Sequence, residues 1–297
     1  MKKVLKWIGI SLLGLIILLT ITAFILSSRF KSLAKKTYDI VPAEIPIPTD
    51  SVSLERGRLL SLGCCTCHGY DYAGKDFFND PAIGYMSSPN LTKAKGSATE
   101  NFKNADWVRA IRHGVSHKNT PLMVMPSESF RYFSDEDLGS LIAYLNTLEP
   151  IEKPQPESKF TFMANVLAGA GMFGPLDSMY AAQYIDHQAL QHTTAPPIGS
   201  TLEYGEYMVK FMGCQTCHGK DFNGGKHPDT VAPLVPSISN KGNFGNWSLE
   251  QFKSVFRSGR TPEGKTLNPE FMPFAPIGAF SDVELEALYK YIKSASK

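Results

Sequence analysis

The residues with the clearest chemistry are Cys64-Cys65-Thr66-Cys67-His68 and Cys214-Gln215-Thr216-Cys217-His218. Each reads C-x-x-C-H, the spacing of covalent haem attachment. Two cysteines three apart can each form a thioether to one side of a porphyrin. The histidine that follows is held against one face of the ring, where its imidazole can ligate the iron. Other chemistries also use C-x-x-C. A thioredoxin-like redox pair needs a βαβ context, and no strand pattern competes with the helical ones. A zinc site needs the two pairs to meet in space, whereas each pair has its own histidine. Cys65 is left over and reads as a small buried residue. Five cysteines in 297 residues make no disulfide framework.

The surroundings of the two motifs repeat. His68-Gly69-Tyr70-Asp71-Tyr72-Ala73-Gly74 aligns with His218-Gly219-Lys220-Asp221-Phe222-Asn223-Gly224. Pro89-Asn90-Leu91 aligns with Pro236-Ser237-Ile238, and the stretch Trp107–Gly114 with Phe252–Gly259. Met125-Pro126 matches Met272-Pro273, and Phe133-Ser134-Asp135 matches Phe280-Ser281-Asp282. Motifs recurring in one order at a long period mark a duplicated domain.

The repeat also selects axial ligands. A haem held by one histidine has a second axial position, and methionine there raises the potential. Of ten methionines, only Met125 and Met272 are paired by the repeat. The expected iron ligands are therefore His68 with Met125 and His218 with Met272. Met123, two residues away, is the rival for the first haem, and Met86 is possible but unpaired. His113, His117 and His227 offer a bis-histidine alternative, but none recurs across the repeat; they read as surface or helix-end residues. The carbonyls of Pro89 and Pro236 are candidates to accept the second N–H of each imidazole, which would orient it. Phe102, Trp107, Trp247 and Phe252 are expected in the haem walls. Arg112 and Arg257 either neutralise haem propionates or sit at solvated helix ends.

Helices must carry these groups. Leu54–Leu62 predicts a short helix leading into the first motif. The stretches near Trp107–Arg112 and Phe252–Arg257 predict helices stopped by Gly114 and Gly259. Ser134 with Asp137, and Ser281 with Glu284, mark the starts of closing helices, and the glutamate fits a capping box better than the shorter aspartate. Leu138, Leu141, Ile142 and Leu145, and Leu285, Leu288, Tyr289 and Ile292, give each helix an apolar stripe. The remainder reads as loop rich in glycine and proline.

Trp7–Leu26 is 20 residues without a charge. At about 1.5 Å per residue it spans a hydrocarbon core of about 30 Å. It is longer than the apolar region of a cleaved signal, and Leu26-Ser27-Ser28-Arg29 makes a poor cleavage site, so an uncleaved anchor is expected. Flanking lysines do not set its orientation. Covalent haem is attached outside the cytoplasm in bacteria, so the bulk of the chain is expected on the outer, periplasmic side. Lys2, Lys3, Lys6, Arg29, Lys31, Lys35 and Lys36 give residues 1–36 a charge of +7, leaving −5 for the rest of a chain of net charge +2. That argues against nucleic acid and for partners with basic patches. The domains expected are an anchor over 1–36 (span about 7–26), a proline-rich spacer over 37–53 that lifts the protein off the membrane, a first haem domain over 54–150, a linker over 151–200 packing on the domains, and a second haem domain over 201–297. The linker's apolar stretch Phe160–Leu176 is too short and too broken by glycine for a second span.

The strings Gly63-Cys64, Cys67-His68-Gly69, Ser88-Pro89-Asn90-Leu91-Thr92, Ile111-Arg112-His113-Gly114, Met125-Pro126-Ser127 and Ser134-Asp135-Glu136-Asp137-Leu138 closely resemble class I c-type cytochrome domains. The second copy is similar through Tyr204-Gly205-Glu206-Tyr207, Cys214 to Gly219 and Met272-Pro273. The nearest likeness is to the multihaem cytochrome c subunits of membrane-bound alcohol, gluconate and sorbitol dehydrogenases. The resemblance implies an all-α fold of two tandem cytochrome c domains behind a transmembrane helix. It also implies His/Met ligation of two haem c groups and electron transfer at the outer face of the bacterial cytoplasmic membrane. Two departures stand out: those subunits typically carry three haem domains, and the second copy has Pro236-Ser237-Ile238-Ser239 in place of Pro-Asn-Leu-Thr. The expected partners are a dehydrogenase, an oxidase or a soluble cytochrome, with lipid around the anchor. No catalytic residue is expected. The competing reading is a dihaem peroxidase, which needs one haem with an open distal position.

Overall fold

The uncharged run lies inside one long helix, α1 (Lys2–Ala34), in the computed structural model, which describes residues 2–174, 179–190, 192–227 and 232–295. By length and composition α1 can cross a membrane, and its apolar side chains are exposed. The chain is mostly helical beyond it. In the first domain come α2 (Ser51–His68), a hairpin of β1 (Asp76–Asp80) and β2 (Gly84–Ser87), α3 (Asn104–His113), α4 (Ser127–Phe130) and α5 (Asp135–Leu145). The linker supplies β3 (Lys159–Phe160) and α6 (Phe162–Gly169). The second domain has α7 (Leu202–Phe211), α8 (Cys214–His218), α9 (Leu249–Ser258), α10 (Phe274–Gly278) and α11 (Asp282–Ala295).

In each domain the first helix crosses the last at a glycine. A side chain at Gly57 would run into the Ser140 carbonyl and Tyr144, and one at Gly205 into the Ala287 carbonyl and Tyr291. Gly57 and Gly205 are thus structural equivalents, and so are the helices they bring together. The middle helices stop as expected, at Gly114 (φ 66) and Gly259 (φ 69), both in the left-handed region that glycine enters without strain. The closing helices start as expected too. Ser134 accepts from the Asp137 N–H, while Ser281 and Glu284 cap each other reciprocally, with Glu284 accepting from the Ser281 N–H at 3.0 Å.

Four features depart from the expectations. The helix before the first motif is not short: Asp50 caps it through the Val52 and Ser53 N–H groups, and it runs unbroken through Cys64–His68. In the second copy two further residues, Met212 and Gly213 (φ 69), interrupt it. Residues 76–87 are not loop but a hairpin, with Phe78 opposite Met86 and Asp80 opposite Gly84. Its strands are short, and β3 completes the antiparallel sheet from the linker. The proline-rich segment 37–50 is extended but does not lift the domain away. Tyr38 is buried beside Val115 and Ala182, and the Pro46 carbonyl lies against Gly139. Finally, the linker packs on α1 as well as on the first domain. Gln155 accepts from Asn90 N–H at 2.8 Å and donates to the Ser88 carbonyl at 2.9 Å, while α6 lies against α1. Pro175 and Leu176, the end of the linker's apolar stretch, lie outside the described residues.

One hydrophobic core runs through both domains. α4 of the first domain packs on α7 of the second, and α10 of the second packs on α2 of the first. Since α4 and α10 follow Met125 and Met272, and α2 and α7 lead into the two motifs, the domains face each other about a pseudo-twofold axis.

Candidate haem sites

His68 and His218 are both buried. Burial pushes each imidazole below its ordinary value, so each is neutral near pH 7. The Nδ1–H of His68 donates to the Pro89 carbonyl at 2.8 Å, and that of His218 to the Pro236 carbonyl at 3.1 Å. These are the two acceptors expected from the repeat. Fixing the proton on Nδ1 leaves Nε2 with a lone pair facing away from the proline, as a metal-ligating histidine requires. An open cleft of 1240 Å³ is lined by Pro89, Phe102, His117 and linker residues, with neither His68 nor a motif cysteine in its wall.

The loops that hold the prolines repeat bond for bond. Gly74 N–H donates to the His68 carbonyl and Gly224 N–H to that of His218, both at 2.9 Å. Leu91 N–H reaches the Tyr72 carbonyl at 2.8 Å, and Ile238 N–H the Phe222 carbonyl at 2.9 Å. Tyr72 and Phe222 share a left-handed backbone, with φ of 56 and 58. The substitution of Asn90-Leu91-Thr92 by Ser237-Ile238-Ser239 therefore leaves the loop intact. Asn90 accepts from the Thr92 N–H, and Ser237 accepts from the Ser239 N–H in its place.

The methionine loops correspond in the same way. Leu122 N–H donates to Gly114 and Leu267 N–H to Gly259; Ser127 N–H then donates to Met125 and Phe274 N–H to Met272. Met125 and Met272 both pack against the shared core, as do Cys64 and Cys214. Met123 does not. With Val124 between them in a left-handed conformation (φ 61), Met123 turns the other way, toward Phe30 of α1 and Tyr180. Met86 lies in the hairpin. Trp107 and Phe252 are buried in the core, and Phe102 and Trp247 pack against it.

The three unpaired histidines separate. His113 ends α3 but is fully buried, not at the surface. Its Nδ1 lies 3.1 Å from Nδ1 of His187 in the linker, a partner that no sequence pattern marks. Burial first, then His187 and nearby arginines, push His113 down to about 4. His117 is exposed beside Phe102. His227 comes to the second motif, with Nε2 3.4 Å from Cys217 Sγ.

The residues fit a covalently held haem. Burial pushes the Cys64 and Cys214 thiols up to about 12, so they are neither thiolate nucleophiles nor ready zinc ligands. Among the described residues no three His, Cys, Asp or Glu side chains converge as a metal cluster. Arg112 is fully buried. One nitrogen, Nη2, bonds the Phe133 carbonyl and Asp135, while Nε and Nη1 have no partner. Orphaned buried guanidinium donors call for an anion, and a haem propionate is one. Arg257 differs, being half-exposed and paired with Asp282, a solvated helix end.

Cys65 is buried with its Sγ toward the Ser61 carbonyl and away from this chemistry. Its counterpart Gln215 bonds the Lys220 carbonyl. Cys65→Ala is expected to leave the haem content unchanged and to cost about 1 kcal/mol, read by denaturant unfolding of the wild-type and variant proteins.

Comparison with known proteins agrees with this geometry. The sequence model of the cytochrome c family matches residues 54–149 and again 202–296. The chain belongs to the cytochrome c family and carries two such domains, a class that implies covalently bound haem c. It is 24% identical over 84% of its length to the fructose dehydrogenase cytochrome subunit of Gluconobacter japonicus, covering 54% of that protein. It is 26% identical over 82% of its length to the cytochrome c subunit of a quinone alcohol dehydrogenase of Gluconacetobacter polyoxogenes, covering 56%. It is 25% identical over 81% of its length to the gluconate 2-dehydrogenase cytochrome c subunit of Pantoea cypripedii, covering 59%. The chain thus spans a little over half the length of these curated relatives.

Proposed function

We propose that the chain is a membrane-tethered carrier of two haem c groups that accepts electrons from a dehydrogenase and passes them on at the outer face of the cytoplasmic membrane. The observation that carries this reading is the matched pair of sites, each with a neutral histidine held through Nδ1 and a methionine in the same core. Cys64 and Cys67 would bind one haem, Cys214 and Cys217 the other; His68 with Met125 and His218 with Met272 would ligate the irons. The bound iron supplies one-electron chemistry between Fe(III) and Fe(II). The chain's own residues hold the imidazole orientation, exclude water through the apolar core, and offer Arg112 to a propionate.

Packed protein links the sites. A side chain at Gly213, next to Cys214, would meet Ser129 of α4. Phe133 stacks on Phe211 with ring centroids 5.0 Å apart. This favours a relay within one chain over two independent carriers. A methionine at the matched place in both copies speaks against an open haem and hence against a peroxidase.

A dehydrogenase as partner is supported by the relatives, whose names make them cytochrome subunits of fructose, alcohol and gluconate dehydrogenases. The onward acceptor would be an oxidase or a soluble cytochrome. The test is haem quantification and purification from detergent extracts of the native membrane. Two haems per chain, both low-spin, and a co-purifying dehydrogenase subunit are expected. One haem or none defeats the carrier reading. A high-spin ferric haem that binds cyanide readily restores the peroxidase.

A further inference from the structure

The linker was expected to pack on haem domains, yet its helix α6 and the turn after it sit against the outer end of α1. Phe162 packs on Phe24 with ring centroids 5.2 Å apart, and Ala168 joins Phe30 and Tyr180 in a small buried cluster. At Gly169 the Leu26 carbonyl comes so close that a side chain would not fit. The buried face of α6 is otherwise Ala164, Asn165 and Ala168. Small residues four apart, allowing close backbone approach, are how helices pack where lipid surrounds them. Asn165 donates to the Thr161 carbonyl at 2.8 Å, so the one polar side chain on that face is satisfied within the segment.

Outside these contacts the segment is apolar and open. Phe162 is 45%, Met163 57%, Met172 59% and Phe173 37% exposed. No residue from Phe160 to Leu176 carries a charge. Four large apolar side chains turned outward in one short segment make no sense in water. Their level along α1 says what covers them. α6 touches α1 at Phe24, Leu26 and Phe30, where the uncharged run Trp7–Leu26 ends. Phe24 and Ile25, at the same level, are themselves 63% and 61% exposed. The basic residues of this end, Arg29, Lys31, Lys35 and Lys36, follow within about two to three helical turns, where anionic headgroups would lie.

We propose that residues 162–173 form a second membrane-contacting element, an interfacial helix and turn whose outer face enters the lipid boundary beside α1. It rests on the reading of α1 as a membrane span. The consequence is two points of attachment, which fix the height and tilt of the first haem domain over the bilayer where a single helix would leave it free to swing. β3 and the Thr161 hydroxyl tie this element to the hairpin of that domain, the latter through the Ala82 carbonyl at 2.6 Å.

The test uses the full-length haem-loaded chain in its native membrane, exposed to a lipid-phase photoactivatable carbene probe and mapped by peptide mass spectrometry. Labelling is expected on 7–26 and on 162–173, the latter about fivefold or more above the mean of the haem domains, as for a face immersed in the headgroup–acyl boundary. Strong labelling of 7–26 with none on 162–173 overturns the proposal and leaves the anchor standing. Labelling of 162–173 that appears only after the chain is purified into phosphatidylcholine vesicles also overturns it, since a protein then covers that face in the membrane. Absence of labelling on 7–26 overturns the anchor itself and the proposal with it.

Discussion

Replacing Met272 by leucine is expected to remove about half of the near-infrared sulfur-to-iron absorption of the oxidised protein, and Met125→Leu the other half. Leucine keeps the volume and loses the sulfur, so the change tests ligation rather than packing. Each substitution should also lower the potential of its own haem, on the order of 0.1 V, because methionine is the ligand that raises it. Met123→Leu is the internal control. Its side chain faces Phe30 and Tyr180 instead of the core that holds Cys64, so the spectrum should not move. Loss of the band in Met123→Leu with retention in Met125→Leu would reverse the assignment. In the second domain the competitor is His227, which approaches Cys217. His227→Ala should leave the band intact; a band unaffected by Met272→Leu would favour histidine there.

The candidate sites could be picked out in the sequence because the chain states them twice. Pro89 and Pro236 need only a matched position after each motif, 21 and 18 residues from the histidines they orient and within the same domain. Helix stops at Gly114 and Gly259 and caps at Ser134 and Ser281 are set by residues within one or two turns. What was not legible depends on distant partners. The hairpin at 76–87 is completed by Lys159 and Phe160, far along the chain. His113 looked like a helix-end residue at the surface because nothing in its neighbourhood announces His187. Segment 37–50 looked like a free spacer because its prolines predict an extended backbone without saying what it lies on. The apolar linker stretch failed as a membrane span on length, and length says nothing of a helix that leans on another.

Arg56 is the strongest case of such a partner, and its replacement by methionine should be among the most destabilising single changes, at about 3–5 kcal/mol. Its side chain is only 13% exposed and reaches both domains. Nε donates to Asp137 Oδ1 and Nη1 to Glu284 Oε1, both at 2.7 Å, while Nη2 reaches Asp137 Oδ2 and the Tyr204 hydroxyl. Glu284 lies 228 residues away in sequence. Burial opposes the arginine's charge, but the hydrogen bond and field of Asp137, with Tyr204 and Glu284, hold its pKa above the ordinary value. The two tyrosines complete the cluster: Tyr204 donates to Glu284 at 2.9 Å and Tyr207 to Asp137 at 2.6 Å.

The repeat explains the composition of this cluster. Asp137 and Glu284 occupy the same place in the two closing helices. Arg56 and Tyr204 each precede the glycine at which the helices cross. The pseudo-twofold axis thus brings like positions together, and the two acids would face each other without a cation had both copies carried tyrosine there. Arg56 in the first copy supplies one cation to both acids, and Tyr204 in the second completes their hydrogen bonds. In Arg56→Met both carboxylates stay buried without a cation, which is where the cost arises. A triple variant, Arg56→Met with Asp137→Asn and Glu284→Gln, leaves no buried charge and should recover most of the loss. Guanidinium unfolding of the haem-loaded chains, followed in the Soret band and by circular dichroism, measures both. If the single variant loses less than about 1 kcal/mol, the cluster is only a solvated ion pair, and the facing of the two domains comes from the shared apolar core and its Phe133–Phe211 stack.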